Sequence, residues 1–289
     1  MEIAVFGARG QLGKSIKAIA ANYPQHYFIF TDIDTLDITS YREIEEFVLG
    51  NYPRVFINCA AYTAVDMAEK EQTMAKAINS DAVANLAKIA SEHNIFFVHI
   101  STDYVYDGEL YRPYKEIDNI HPLSTYAKTK WKGEGAVRRS LCKGAIIRTS
   151  WLYSEYGSNF VRTMLRTGLE EEVVSVVFDQ IGTPTYARDL AKTIIQIIDN
   201  MDKIQDVETF HYSNEGVASW YDFAVEIMHL AKRKCVVLPI TTKQHPSAVK
   251  RPTYSVLNKQ KIKETFNLEI PHWSDSLRYC IANLEAPRV

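Results

Sequence analysis

The sequence predicts an α/β fold in which a doubly wound parallel sheet is followed by a smaller C-terminal lobe. Three observations lead to this class. Short apolar segments alternate with amphipathic segments of helical period through the first half of the chain. The first apolar segment runs into three glycines, at positions 7, 10 and 13, and a helix-like pattern follows. Beyond about residue 150 the alternation weakens and the connecting segments lengthen.

Five apolar segments are the predicted strands of the sheet. Each is short, rich in β-branched or aromatic residues and apolar on both faces, as strands between two helical layers are. We predict a sixth strand at "VVSVVFD", residues 173–179. The five segments, in chain order, are "EIAVFG", "HYFIFTD", "RVFINCAA", "IFFVHIST" and "GAIIRTSW".

The helices predicted between these strands carry apolar residues at three- and four-residue steps. Strands and helices together assign residues 1–150 to a dinucleotide-binding domain of the Rossmann type. We expect residues 151–289 to form mainly a substrate-binding lobe, with residues 171–200 returning to the first domain. The helical stretches are "QLGKSIKAIAANY", "ITSYREIEEFVLGNY" and "EQTMAKAINSDAVANLAKIASEH".

Composition and charge exclude several classes of protein. The 289 residues carry 33 Lys and Arg against 35 Asp and Glu, a net charge of −2, which argues against a nucleic-acid partner. The four cysteines lie far apart and the eight histidines show no metal-ligand spacing, so we expect neither a disulfide framework nor a zinc site. No apolar run approaches the ~18 residues of a membrane span, and no signal peptide is predicted. We therefore expect a cytoplasmic protein without a membrane partner.

The glycines Gly7, Gly10 and Gly13 follow the spacing G-x-x-G-x-x-G between a strand and a helix. Glycines there let a pyrophosphate approach the backbone, and the helix N-terminus supplies amide donors. Asp32, after the second strand, stands where an acid holds an adenosine ribose, which favours NADH. Arg9, inside the loop, can neutralise the 2′-phosphate of NADPH. The sequence therefore predicts that the cofactor is NADPH or NADH.

A tyrosine and a lysine four residues apart on a helix share one face, so the ammonium can stabilise a phenolate and reach a nicotinamide ribose. The chain has two such pairs, Tyr111 with Lys115 and Tyr126 with Lys130. Pro113 interrupts the first pair and disrupts a helical face. We therefore predict that Tyr126 and Lys130 form the proton-transfer pair.

A hydroxyl completes the predicted catalytic set. Ser101 and Thr102 end the fourth predicted strand, at the sheet edge where parallel sheets bind ligands. Either hydroxyl can orient a substrate carbonyl and hydrogen-bond the tyrosine. We expect this strand end, the tyrosine helix and the glycine loop to meet in one crevice.

Seven motifs follow one another between residues 7 and 257: "GARGQLG", "NCAAYTAVDMAE", "STDYVYDG", "YAKTK" with "GE" after it, "IRTSWLY", "DQIGTPT" and "RPTYSVL". Their order resembles that of the extended short-chain dehydrogenase/reductases. The resemblance implies a reductase that uses NADPH or NADH on a small-molecule dTDP-sugar. It also implies that Thr102, Tyr126 and Lys130 are the catalytic residues.

The same resemblance implies which residues contact the two ligands. For the substrate these are Thr102, Asp103 and Trp151, with Tyr104 beside them. Independently of the resemblance, Trp151 can lay an apolar face on a deoxysugar, and Arg251 can bind nucleotide phosphates. The implied cofactor contacts are Gly10, Gln11 and Leu12 at the pyrophosphate, Asp32, Asp37 and Ile38 at the adenosine, and Ala61, Tyr62 and Thr63 at the middle.

Three alternative functions stay open. A dehydratase or epimerase of the same fold is one, although Tyr104 follows Asp103 where a dehydratase commonly has a second carboxylate. A reductase of another nucleotide 4-ketosugar is the second, and a non-catalytic, nucleotide-binding regulatory subunit is the third. Some members of the family that this sequence resembles are dimers with a metal held by acidic side chains at the interface. Arg188 stands where such an acid is expected, so we predict no metal and leave a homodimer open.

Overall fold

The computed structural model describes residues 1–245 and 249–285 of the chain. Most of the predicted strands and helices are present, and the described part also contains several two-residue strands. The strands are β1 (Glu2–Phe6), β2 (Tyr27–Thr31), β3 (Val55–Asn58), β4 (Phe96–Thr102), β5 (Gly144–Thr149), β6 (Leu152–Tyr153), β7 (Val173–Val177), β8 (Ile181–Gly182), β9 (Thr185–Tyr186), β10 (Val207–His211), β11 (Ala218–Ser219) and β12 (Val236–Ile240).

The helices lie mostly between the strands. A π-helical turn, Ala77–Asp81, joins two of them into one long helix. The helices are α1 (Gln11–Ile19), α2 (Tyr41–Asn51), α3 (Val65–Ala68), α4 (Gln72–Lys76), α5 (Ala82–Glu92), α6 (Thr125–Arg139), α7 (Phe160–Glu170), α8 (Ala187–Asp199), α9 (Trp220–Leu230), α10 (Gln260–Phe266) and α11 (Trp273–Glu285).

A six-stranded parallel sheet with the order β10-β5-β4-β3-β1-β2 forms the centre of the molecule. Helices α1 and α8 bury apolar residues on one face, and α2, α5 and α6 do so on the other. This arrangement confirms the predicted doubly wound α/β fold. Strand β1 lies between β2 and β3, so the connections on its two sides run in opposite directions and open a crevice at the carboxyl ends of these strands.

The sixth strand of the sheet is not the predicted one. Val173–Val177 pairs in parallel with β12 in a separate two-stranded sheet, and β10 fills the sixth place. Apolar composition misled the prediction, because β7 lies at a surface where Val173 is about half exposed. Strand β10, "VETFH", reads as half polar because it forms the edge of the central sheet.

The C-terminal residues build a second apolar core outside the central sheet. Helices α7, α9 and α11 pack there with the sheet of β7 and β12. Helix α8 instead packs against α1 on the central sheet, so residues 187–199 and 173–177 belong to different cores. The proposed domain boundaries remain a prediction. Across both described ranges, no helix combines the length and hydropathy needed to cross a bilayer.

Candidate active site

The glycine loop between β1 and α1 is packed too closely for side chains. Gly7 has a φ of +76°, and a Cβ there would lie 2.6 Å from the backbone nitrogen of Ala60. A Cβ on Gly13 would lie 2.5 Å from the carbonyl oxygen of Gly7. Gly10 occupies the N-cap of α1 without a side chain to fill it. The loop thus fits a dinucleotide, whose pyrophosphate needs a close backbone and a free helix N-terminus.

Two adjoining cavities lie along the carboxyl edge of the sheet. The larger, about 690 Å³, is lined by all three predicted adenosine contacts, Asp32, Asp37 and Ile38. The smaller, about 540 Å³, is lined by Gln11, Leu12, Thr63 and all the predicted catalytic residues. Residues shared by both cavities are Arg9, Gly10, Cys59 and Ala61. The arrangement forms one continuous cleft.

Three predicted contact residues do not line these cavities. Gly13 is buried in the packing of the loop, and the Tyr62 hydroxyl turns away to hydrogen-bond Glu71 at 2.6 Å. Arg251 lies outside the lining, where its guanidinium pairs with the Asp66 carboxylate at 3.0 Å. Their roles in binding remain predictions.

Tyr126, Lys130 and Thr102 meet in the smaller cavity. Ser124 caps helix α6, because its hydroxyl accepts a hydrogen bond from the Ala127 amide at 3.1 Å. This cap fixes the first turn of the helix, which carries Tyr126 beside Thr102 at the end of β4. Lys130 follows one turn later and donates through Nζ to the Ile100 carbonyl at 2.6 Å.

Burial sets the protonation states of Tyr126 and Lys130. Desolvation raises the pKa of Tyr126 to about 12, although the Thr102 hydroxyl opposes the rise. Desolvation lowers the pKa of Lys130 to about 8, against the opposing effects of Glu134 and Cys59. At neutral pH the phenol therefore keeps its proton and the lysine keeps most of its charge. That combination suits a tyrosine that donates a proton.

The two candidate hydroxyls at the end of β4 face different partners. Ser101 donates to Oε1 of Glu134 at 2.5 Å, and Arg148 holds the same carboxylate from Nε at 3.0 Å and from a terminal nitrogen at 2.8 Å. Glu134 and Arg148 are almost fully buried, so this network forms a polar floor below the cleft. Of the two hydroxyls, Thr102 is therefore the one that lies within hydrogen-bonding reach of Tyr126.

The second tyrosine–lysine pair lies away from the cleft. The side chain of Tyr111 is fully exposed, and the backbone of Lys115 is tied to Asp118 in a turn. The pair therefore has no part in the cavity that holds Tyr126. The choice between the two pairs, made from Pro113, agrees with this placement.

Asp103 and Tyr104 extend the site from Thr102. Oδ1 of Asp103 accepts a hydrogen bond from the Thr102 hydroxyl at 3.1 Å, and the Ser255 hydroxyl lies beside the same buried carboxyl. Burial raises the pKa of Asp103 to about 7, opposed by the hydroxyls of Ser255 and Thr102. The Tyr104 ring stands edge-on to Tyr126, with 6.0 Å between ring centroids.

Trp151 is held between two groups at the wall of the cleft. Its ring stacks on Trp220 with centroids 3.7 Å apart and planes 10° from parallel. A Cβ on Gly182 would lie 2.6 Å from Cε2 of Trp151, so a glycine backbone packs against the ring as well. The backbone of Trp151 has a φ of +47°, which is strained for a bulky residue. Trp220 therefore covers one face of the Trp151 ring, and the contact of Trp151 with a deoxysugar remains a prediction.

Three residues of the site were missed from the sequence. Trp220 lines the smaller cavity from the start of α9. Asn79, in the π-helical turn, bonds both backbone groups of Tyr62, accepting from its amide at 2.9 Å and donating to its carbonyl at 3.0 Å. It also donates to Thr129 on α6 at 3.2 Å. Asp34 pairs with the guanidinium of Arg9. All three depend on contacts between distant segments, which leave no local pattern.

Within residues 1–245 and 249–285, no group of three or more His, Cys, Asp or Glu side chains is arranged to hold a metal ion. Arg188 hydrogen-bonds the hydroxyl of Tyr279 at 3.1 Å, at the start of α8. The absence of a bound metal remains a prediction, and a homodimer remains open.

The fold and the cleft define an NAD(P)H-dependent oxidoreductase of the short-chain dehydrogenase/reductase class. A family model described as RmlD substrate binding domain matches residues 1–286. The chain belongs to that family, and it is of the dTDP-4-dehydrorhamnose reductase type.

Individual relatives agree over nearly the whole chain. It is similar to the dTDP-4-dehydrorhamnose reductase of Aggregatibacter actinomycetemcomitans, 39% identical over 95% of this chain and 96% of that protein. A crystal structure of a dTDP-4-dehydrorhamnose reductase from Clostridium acetobutylicum superposes with a TM-score of 0.93, at 41% identity over 99% of this chain and 100% of that one. The dTDP-4-dehydrorhamnose reductase of Bacillus anthracis, solved in complex with NADP, superposes with a TM-score of 0.93, at 38% identity over 98% of this chain and 99% of that one.

Proposed function

We propose that the protein reduces the 4-keto group of dTDP-6-deoxy-L-lyxo-4-hexulose to give dTDP-L-rhamnose, with NADPH or NADH as reductant. The observation that carries the proposal is the meeting of Tyr126, Lys130 and Thr102 in a cleft continuous with the dinucleotide cavity. The names of the relatives support the identity of the sugar.

The proposed catalysis divides three tasks among these residues. A reduced nicotinamide bound in the cleft supplies the hydride that C4 of the sugar receives. Tyr126 gives its phenolic proton to the oxygen of the former carbonyl as that oxygen gains negative charge. Thr102 orients the carbonyl toward the tyrosine, and the Lys130 ammonium stabilises the tyrosinate that remains. Solvent then returns one proton to Tyr126, so charge and atoms balance.

The other proposed contacts hold the substrate. Asp103 offers its buried carboxyl, which lies beside the hydroxyls of Thr102 and Ser255, to a sugar hydroxyl, and Tyr104 flanks the catalytic phenol. Trp151 forms the cleft wall with Trp220 behind it. Arg251 suits the nucleotide diphosphate, which would have to displace the carboxylate of Asp66.

The cytoplasmic location of the protein remains a prediction.

A coupled assay tests the proposed reaction. The protein is mixed with dTDP-glucose 4,6-dehydratase, the 3,5-epimerase and dTDP-glucose, and oxidation of NADPH and NADH is followed by absorbance. We expect oxidation only when both other enzymes are present. Oxidation with the dehydratase alone would identify a reductase of another 4-ketosugar. No oxidation with either mixture would contradict the reductase assignment and favour the regulatory alternative.

A further inference from the structure

Two carboxylates and one guanidinium meet at the end of the larger cavity, and they are held in different ways. The backbone fixes Asp32: its Oδ2 accepts from the Arg9 amide at 2.8 Å and its Oδ1 from the Ile33 amide at 2.9 Å. The Arg9 guanidinium is 66% exposed and pairs with Asp34, whose carboxylate is 44% exposed. Asp32 is therefore a fixed charge, whereas Arg9 is free to exchange its partner.

We propose that Asp34 sets the preference between NADPH and NADH by competing with the 2′-phosphate for Arg9. The fixed Asp32 carboxylate suits a ribose with a free 2′-hydroxyl, which can donate a hydrogen bond to it. A 2′-phosphate brings negative charge toward Asp32 and needs a cation to offset the repulsion. Arg9 is the basic side chain that lines this cavity. It reaches the phosphate by leaving Asp34.

The weakness of the Arg9–Asp34 ion pair makes this exchange possible. Ion pairs with both partners exposed to water are weak, so a phosphate that carries more charge than a carboxylate can replace Asp34. Asp34 nevertheless lowers the affinity for the phosphate in two ways. It occupies the guanidinium, and its charge remains close by after the exchange. A ligand without the 2′-phosphate meets neither effect, so Asp34 acts selectively. The inference rests on the proposed function, which places a dinucleotide in this cavity.

The test measures binding without catalysis. Isothermal titration calorimetry of the full-length protein compares 2′,5′-ADP with 5′-AMP, which differ by the 2′-phosphate. We expect Asp34→Asn to bind 2′,5′-ADP about three- to tenfold more tightly than the wild type and 5′-AMP within about twofold of it. The gain should shrink as salt rises from 50 to 500 mM, because salt screens exposed charges.

Two further variants separate the pair from a general change in charge. Asp275→Asn makes the same chemical change at an exposed ion pair with Arg278 on α11, and it should leave both affinities unchanged. Adding Arg9→Ala to Asp34→Asn should remove the gain for 2′,5′-ADP, because the guanidinium for which Asp34 and the 2′-phosphate compete is then absent.

The outcomes that overturn the inference are distinct from failure of the proposed function. An Asp34→Asn variant that gains equally for both nucleotides, gains for neither, or keeps its gain without Arg9 shows that Asp34 does not compete for the guanidinium. Normal binding of 5′-AMP in the same experiment would leave the cofactor site in place. A wild-type protein that binds neither nucleotide contradicts both the cofactor site and this inference.

Discussion

The two halves of the cleft are built from different materials. In the cofactor half, the glycine loop contributes its backbone to the surface, and Gly7 has no room for a methyl group. In the substrate half, side chains from segments far apart in the sequence provide it, as in the stack of Trp151 on Trp220. A surface formed by backbone has no space for an added side-chain atom but does not depend on the chemical identity of most side chains. A surface formed by side chains can accommodate a substitution, and each substitution changes its contacts with the ligand. The two halves should therefore fail differently when mutated.

The largest expected effect is on the proton donor between the halves. Tyr126→Phe should lower kcat by about 10²–10⁴-fold, as the loss of a general acid does, and leave the Kd for NADPH within about twofold. Stopped-flow turnover and a binding titration measure the two quantities. Tyr111→Phe makes the same change at the exposed tyrosine of the other pair and should have no effect. Full turnover by the Tyr126→Phe enzyme would refute the assigned role.

The next effect tests the backbone surface. Gly7→Ala should weaken dinucleotide binding by about 30-fold or more, because the positive φ and the overlap with Ala60 force the loop to move. Gly50→Ala is the control, since nothing lies within 4 Å of a Cβ there at the end of α2. It should keep wild-type binding and raise the free energy of unfolding by up to about 1 kcal/mol. Equal binding by both variants would show that the loop does not contact the dinucleotide.

A smaller, selective effect is expected in the substrate half. Trp220→Ala removes the ring that supports Trp151, so the KM for the sugar nucleotide should rise about tenfold while the Kd for NADPH stays unchanged. Steady-state kinetics and a cofactor titration measure both. Trp220→Phe keeps an aromatic partner and should recover most of the loss. An unchanged KM in Trp220→Ala would mean that the stack does not shape the substrate site.

The smallest effect is a pH limb assigned to Lys130. Its pKa of about 8 predicts that the protonated fraction of Lys130, and with it kcat/KM, falls to about half at pH 8 and continues to fall above. Asp103, with a pKa of about 7, ionises below this limb. Tyr126, with a pKa of about 12, stays protonated throughout this range. The arginine of a Lys130→Arg variant keeps its positive charge over this pH range. The variant should react more slowly than the wild type, because its side chain has a different shape, and its kcat/KM should show no such limb. The same limb in that variant would assign it to another group.

The same contrast explains how much could be predicted from the sequence. Strand β1, the glycine loop and the Tyr126–Lys130 pair are local patterns, and the structure places them as expected. Strand β10 was missed because an edge strand is half polar, and β7 was misplaced because an apolar run does not name its partner.

Residues of the site that depend on tertiary contact escaped prediction. Asp34 looks like an ordinary loop acid until folding brings it to Arg9. Trp220 looks like a core aromatic at the start of a helix until it stacks on Trp151, a residue far earlier in the chain. Spacing along a sequence reveals neither partner, because both contacts join segments that meet only in the folded chain.

The wide turn at Ala77–Asp81 has a consequence for how this chain can change in length. Asn79 joins Tyr62 beside the cleft to Thr129 on the helix of the proposed catalytic tyrosine, and a Cβ on Gly133 would lie 2.3 Å from the Asn79 carbonyl oxygen. Removing a single residue here would rotate Asn79 by roughly 100° and uncouple the two segments. Surface loops accommodate insertions and deletions, but this helix should not. Its number of residues fixes how the cofactor cleft is aligned with Tyr126, the proposed proton donor.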